Sequence, residues 1–399
     1  MPSNTILTID MITREALRVL PQKCNFISNI DRQHDDSFAN SGAKIGQSLR
    51  IRLPNQYTVR SGAALSAQDS VDQSVTLPLS TQKGVDISFS SAELTMSLDD
   101  FSKRIIDPAI SVLAAAVEAD ALSMVNAVYN SVDAGTNALT FKNLLEGRKM
   151  LNDNLAPQDS NRTALLNTQD SVDLVDALKG LFHESTAIEK QYSEGMMGRT
   201  AGFDFYENTL LTKHTQGTHN TAYVTNGVTA QTGSTLAVDT GTGTILKGDV
   251  FTIGGVFRVH PESKVSTGVL QQFTVTADSA GGSVNLSITP PIWDSTFGGR
   301  QNVSNGAADG QAITFLAGAS KVTTESLVFH KEAFTFATAD LILPKGVDMA
   351  AREVMDGISM RMVRNYDINN DAFPCRVDVL YGYVAQRAAL AARLSANEV

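Results

Sequence analysis

Between Gln216 and Phe315 the chain carries only four Lys or Arg residues (Lys247, Arg258, Lys264 and Arg300) and is rich in Thr, Ser, Gly and Val. No helical period survives there, and β-branched residues and glycine are poor helix formers. Short alternating runs fill the stretch instead: Phe251-Thr252-Ile253, Val256-Phe257-Arg258-Val259, Phe273-Thr274-Val275, and Val284 to Ile288 ahead of Pro290-Pro291. Regular short strands between glycine-rich turns predict a small β-barrel or sandwich. Charged, mixed helix and strand sequence lies on both sides, so residues 214–317 read as an inserted all-β domain. At 399 residues the chain has room for two or three domains, and the class is α+β.

The flanks have their own order. Thr8 to Leu20 places Ile9, Ile12, Ala16 and Val19 on one face, a short amphipathic helix ended by Pro21. It can lie on its own chain or on a neighbour. From Ser37 to Gln68 there is no acidic residue, whereas Lys44, Arg50, Arg52 and Arg60 are all present. Leu49, Ile51 and Leu53 alternate with polar residues, as do Val75, Leu77 and Leu79, and then Val85, Ile87 and Phe89. This predicts a long two-stranded arm with the small, polar tip Ser61 to Ser66. An isolated hairpin is marginal in water. The cationic arm therefore rests either on an acidic neighbouring subunit or back on its own domain.

Asp107-Pro108 is a good N-cap and first-turn pair for an alanine-rich helix running to Val132, about 37 Å at 1.5 Å per residue. Asp107, Pro108, Glu118, Asp120 and Asn126 interrupt its apolar character, which favours a buried or interface helix over a membrane span. Further helices are expected over Phe141–Leu155 and Ser171–Phe182, the latter capped by Asp170 or Ser171. Strands are expected at Arg162–Leu166 and Phe203–Tyr206. After Leu327 come the alternations Ile358-Met360-Met362 and Cys375-Val377-Val379-Tyr381, then an alanine-rich tail from Ala385 suited to a short helix.

Little in the sequence points to catalysis. His183-Glu184 is followed by Ala187 where a zinc-protease helix needs its second histidine, and there is no GxSxG or P-loop. Gly241-Thr242-Gly243 has no helix after it to cradle a phosphate. His214 and His219 read as solvated loop histidines rather than a metal pair, and Asp367 to Asp371 as a turn rather than a calcium loop. Cys24 and Cys375 form no CxxC pair and no disulfide framework. Met1 to Thr5 lacks the charged and apolar pattern of a secretion signal. The net charge of −10 argues against a surface built wholly to grip nucleic acid. No catalytic, metal or cofactor residue is expected.

Five segments in order carry a resemblance. They are the arm followed by the long helix; Gly198-Arg199-Thr200-Ala201-Gly202-Phe203-Asp204; Leu246-Lys247-Gly248-Asp249-Val250-Phe251-Thr252-Ile253-Gly254-Gly255-Val256; Leu327-Val328-Phe329-His330-Lys331-Glu332-Ala333-Phe334; and Arg364 to Ile368 with Arg376 to Gly382. Together they resemble the coat proteins of short-tailed, double-stranded DNA bacteriophages, which have the Hong Kong 97-type capsid fold with an inserted domain. The tail after Gly382 departs from that pattern.

The resemblance implies an N-terminal arm (1–35), an extended loop (36–92), a spine helix (93–135), an axial domain (136–213 and 318–384), the inserted β domain (214–317) and a tail (385–399). It implies a non-enzymatic major capsid protein without cofactors, made and assembled in the host bacterial cytoplasm and residing in the virion. Its hexamers and pentamers would close an icosahedral head around double-stranded DNA, with a scaffolding protein and a portal as partners and no membrane. Lys44, Arg50, Arg52 and Arg60 are the candidate inter-subunit contacts. An encapsulin-like shell is the alternative, although a β insertion of this size weighs against it. A carbohydrate-binding surface protein would leave the long helix unexplained.

Overall fold

The computed structural model describes residues 24–35, 48–60, 62–65, 67–68, 72–90, 107–178, 199–211, 213–227, 229–355 and 358–399. The helix expected over Thr8–Leu20, Lys44 and His183-Glu184 lie outside them. The chain divides into two compact units, one of residues 1–51, 74–123 and 334–386, the other of 52–73, 124–333 and 387–399.

In the first unit a sheet is built on Ala372–Val384, which pairs antiparallel with Thr81–Ser90, Thr335–Ala339 and Ile358–Arg364. Asp31–Asp35 joins parallel to Thr335–Ala339, and Met349–Met355 pairs with Ile358–Arg364 at the far edge. The helix Asp107–Leu122 buries Ile110, Leu113, Ala114, Val117 and Ala121, spaced at three, four and seven as one apolar face requires. Glu118 is buried on that helix, and its carboxylate accepts the backbone N–H groups of Phe26 (2.7 Å) and Ile27 (3.3 Å). It thereby satisfies donors at the start of the short helix Asn25–Ser28. Pro108–Ala127 is long and apolar enough to cross a membrane by length and composition, and about half of its apolar stretch is buried within the protein.

The long helix is shorter than its sequence suggests. The α-helix ends at Leu122, a 3-10 segment covers Ser123–Ala127, and Ser131–Asp133 is a strand. Ser123, Asn126 and Asn130 are weak helix formers, and strand pairing with Arg393–Ser395 takes up the backbone groups that a continued helix would have used.

The described residues of the second unit form two large sheets. One runs in the order Ser131–Asp133, Ala391–Ala396, Val322–His330, Arg162–Leu166, Phe203–Glu207, Arg199–Thr200, with His214–Thr215 beside Val322 and Thr323. The helix Phe141–Asp153 packs on it through Gly147, where a Cβ would lie 3.0 Å from Leu394 and Val328. Thr140 and Asn143 form a reciprocal capping box at the helix start. The next helix is Thr168–Leu178. Its cap is Asn167, whose carboxamide oxygen accepts the Gln169 N–H, whereas Asp170, expected at the cap, is buried inside the first turn.

The alanine-rich tail is not a helix. Ala391–Ala396 is a strand with every residue buried, held on both sides by neighbouring strands. Alanine's helix preference is a weak prior, and two waiting strand edges outweigh it. The stretch 318–384, expected as one block, also divides. Val322–His330 lies in this sheet, the 3-10 turn Lys331–Ala333 follows, and Thr335–Val384 supplies strands of the first unit.

The other sheet of this unit is the insertion. Val224–Thr225, Gly233–Asp239, Val284–Ile292, Ser266–Val275, Val250–Val259 and Ile313–Phe315 pair antiparallel in that order. A bridge between Val224 and Ala312 joins the last strand to the first, closing a six-stranded barrel. Closure removes the exposed edges that an open sheet would leave. Tyr223, Leu236, Val238, Phe251, Ile253, Phe273 and Leu286 are among the residues that fill it.

Candidate assembly surface and the barrel junction

The cationic arm is the surface that the sequence singles out. Ser48–Leu53 pairs with Gln73–Pro78 as a two-stranded sheet. Its residues alternate between exposed and half-buried, so Arg50 and Arg52 share the exposed face. Leu49 and Ile51 on the opposite face pack against Leu77, Leu79, Ala337 and Ala339. Gly382 permits a close approach beneath this layer, since a Cβ there would meet the Pro78 carbonyl and the Leu77 side chain.

Arg60 stands apart from Arg50 and Arg52. Its guanidinium donates to the carbonyls of Gly62 and Ala64 (2.9 Å for the latter) and shapes the tip of the arm. Gln68 Oε1 accepts both the N–H and the hydroxyl of Thr58, each at 2.9 Å, and Asn55 donates to Asp72 at 3.3 Å. The tip thus has its own cross-links. Val59 and Leu65 on it are about nine-tenths exposed.

A second constellation lies within the second unit, and the sequence only hinted at it through the Lys247-Gly248-Asp249 element. Asp249 is fully buried. Its Oδ2 accepts the N–H groups of Leu246 (2.9 Å) and Gly217 (3.2 Å), and its Oδ1 lies 2.9 Å from His214 Nε2. Gly248 has φ +102°, and a Cβ there would strike the His214 ring and the Asn126 carboxamide, so only glycine fits. Its carbonyl accepts a hydrogen bond from Arg393 (2.8 Å), which lies on the strand Ala391–Ala396 and also donates to Thr274 Oγ1.

Burial pushes the Arg393 guanidinium below its ordinary pKa, while Glu325 and Asp249 pull it back. Glu325 approaches to 4.0 Å, and its other oxygen accepts from Thr323 and Ser395. Gln272 adds a reciprocal pair of bonds with the Ser131 backbone, and Arg258 pairs with Asp153 at 2.8 Å. The inserted barrel is fastened by polar side chains at these points to the sheet that holds Ala391–Ala396 and to the helix Phe141–Asp153.

The remaining sequence-flagged groups are structural in their settings. His219, expected in solvent, is buried and stacked 3.7 Å from Phe315, with its pKa lowered by burial; His214 is likewise drawn inside by Asp249. The local sequence was polar, and barrel closure is what covered it. Gly241 backs onto the Tyr223 ring, and the Gly243 carbonyl accepts the Tyr223 hydroxyl. Asp367 closes a turn through the Asn369 N–H and the Asn370 carboxamide. Both thiols are free and buried, and burial pushes Cys375 up to about 11 and Cys24 higher still. Among the described residues no group of three or more His, Cys, Asp or Glu is placed to hold a metal ion.

A sequence model of the P22 coat protein family (P22 coat protein, gene protein 5) matches residues 39–392. The chain belongs to the P22 coat protein family. It is a major capsid protein of tailed bacteriophages, with the Hong Kong 97-type fold plus an inserted β domain, and it builds the icosahedral head. No curated protein matches the chain.

Solved structures similar to this coat protein include that of Mycobacterium phage Che8, 11% identical over 92% of this chain and 89% of that one, with a TM-score of 0.44. The capsid of cyanophage P-SCSP1u is 11% identical over 92% and 86%, with a TM-score of 0.45. The CUS-3 coat protein I-domain is 25% identical, covering 24% of this chain and 96% of that one, with a TM-score of 0.20.

Proposed function

We propose that this coat protein acts by assembly alone, without catalysis, and that its cationic arm lies on an acidic surface of a neighbouring copy. The observation that carries this reading is the pair Arg50 and Arg52, exposed together on a strand whose other face is already packed. The chain bears a net charge of −10, so a neighbouring copy offers acidic surface in excess.

In this reading residues 36–92 form the extended loop, with Lys44 and Arg60 adding positive charge, and Asp107–Leu122 is the spine helix. The axial domain is built from 136–213 with Val322–His330 and Ala391–Ala396. The barrel, 214–317, supports subunit folding and capsomer contacts. Hexamers and pentamers close the head by repeated contacts between copies. A scaffolding protein and a portal take part, double-stranded DNA is enclosed without sequence-specific contacts, and assembly takes place in the host cytoplasm.

The test is the double substitution Arg50→Glu with Arg52→Glu. Shell formation should fall sharply at subunit concentrations where the wild type assembles, while circular dichroism of the subunit stays unchanged. Normal shells from the double variant, seen by electron microscopy, would remove the arm from the assembly contact.

A further inference from the structure

The tip of the arm, residues 52–73, groups with the second unit and not with the strands that carry the base of the arm. One contact shows what receives it. A Cβ on Gly299 would lie 2.3 Å from the Gln56 carbonyl oxygen and 3.0 Å from the Tyr57 nitrogen, so the backbone of the inserted barrel and that of the arm meet with no side chain between them. Such an approach is open only to glycine.

The loop that presents Gly299 is firmly built. Asn302 accepts the Trp293 N–H at 2.9 Å and donates to the Pro291 carbonyl at 2.7 Å. Asp294 caps the 3-10 segment Ser295–Arg300 through the Thr296 N–H. Arg300 lies over both Trp293 (5.3 Å) and Phe297 (5.7 Å). Gly298, at φ 57° and ψ −124°, kinks the segment so that the next residue faces the arm. On the other side, the Thr58–Gln68 and Asn55–Asp72 bonds cross-link the two limbs of the arm. The barrel loop and the arm therefore meet at a side-chain-free point.

We propose that the Trp293–Arg300 loop is a docking rest for the arm tip of the same chain, gripping the Gln56–Tyr57 backbone and aiming the arm before it meets another subunit. An arm already held in one direction surrenders less conformational freedom when it docks. The consequence for assembly rests on the proposed arm-to-neighbour contact, whereas the rest itself does not.

Gly299→Ala is the test. Gly299 is outside the left-handed region, so alanine is compatible with its backbone and only the arm contact is attacked. Full-length subunit is studied first below the concentration at which shells form. Trp293, the single tryptophan of the chain, sits six residues from the contact and reports it by fluorescence. Tryptic cleavage after Arg60 should quicken about tenfold in the variant, the ratio produced by an overpacking penalty of about 1.4 kcal/mol. Trp293 emission should shift as well.

A second variant, with residues 56–70 removed from the arm, should give the same emission shift while leaving the barrel sequence intact. Unchanged emission in both variants, or unchanged cleavage in Gly299→Ala, overturns the rest. With the rest established, Gly299→Ala should raise the subunit concentration needed for shell formation. Faster assembly would show the contact to be a restraint and overturn the aiming role, and unchanged assembly would overturn it equally.

Discussion

Arg393→Met is the substitution that most directly questions the barrel junction. The Arg393 side chain is 2% exposed and Glu325 5%, so neither charge has water to fall back on. Methionine keeps much of the volume but strips a donor from the Gly248 carbonyl and leaves Glu325 Oε2 without its counter-charge. Breaking a buried pair in this way costs about 3–5 kcal/mol. The Thr323 and Ser395 hydroxyls still serve the other Glu325 oxygen, which places the cost near the lower end, at about 3 kcal/mol. At about 2–4 °C per kcal/mol for a domain of this class, the melting midpoint should drop by about 6–12 °C.

Urea and thermal unfolding of subunit below its assembly concentration, followed through Trp293, provide the assay. The double variant Arg393→Met with Glu325→Met removes both charges, and should be more stable than the sum of the single effects by about 2 kcal/mol. A single variant within about 1 kcal/mol of wild type, or strictly additive effects, would refute the claim that Glu325 holds the buried Arg393 in place for its bonds to the barrel.

Two further outcomes are expected. Asp170 is buried beneath the hydroxyls of Thr324 and Ser326 and the Asn397 carboxamide, and burial raises its pKa. The folded carboxyl therefore binds its proton at a higher pH than the unfolded one, so its charge is a burden at neutral pH that is relieved as pH falls through the raised value. Wild type should gain stability relative to Asp170→Asn as pH is lowered from 7 toward the unfolded carboxylate range, and urea midpoints that move in parallel would contradict this. At Gly382, a Cβ would overlap the Pro78 carbonyl. Gly382→Ala should cost about 1–3 kcal/mol and loosen the Gln73–Pro78 strand in hydrogen exchange, and an unperturbed exchange pattern there would count against the packing argument.

Much of the architecture was legible because it rests on local patterns. The barrel announced itself through a hundred residues almost free of Lys and Arg and full of short alternating runs. The arm strands announced themselves through period-two alternation, and the Arg50–Arg52 pair shares the face that alternation assigns to it. The early end of the long helix and the strand in the alanine-rich tail were not legible, since both depend on partners far away in sequence. Ser131–Asp133 and Ala391–Ala396 complete each other's hydrogen bonds across more than two hundred residues of chain. His214 and His219 were misread for the same reason, because a polar loop sequence carries no trace of the barrel that covers it.

The sequence by itself determined the inserted β domain, the cationic arm and the order of segments that places the chain in its family. These follow from side-chain periodicity and composition, which act within a few residues. Only the tertiary structure decided that Arg393 and Asp249 are the buried fastening of the barrel, and that Gly299 meets the arm backbone. Burial and close approach are set by what folds against a residue. A lone charge in an apolar run or a glycine in a loop acquires its meaning only when the opposing surface arrives.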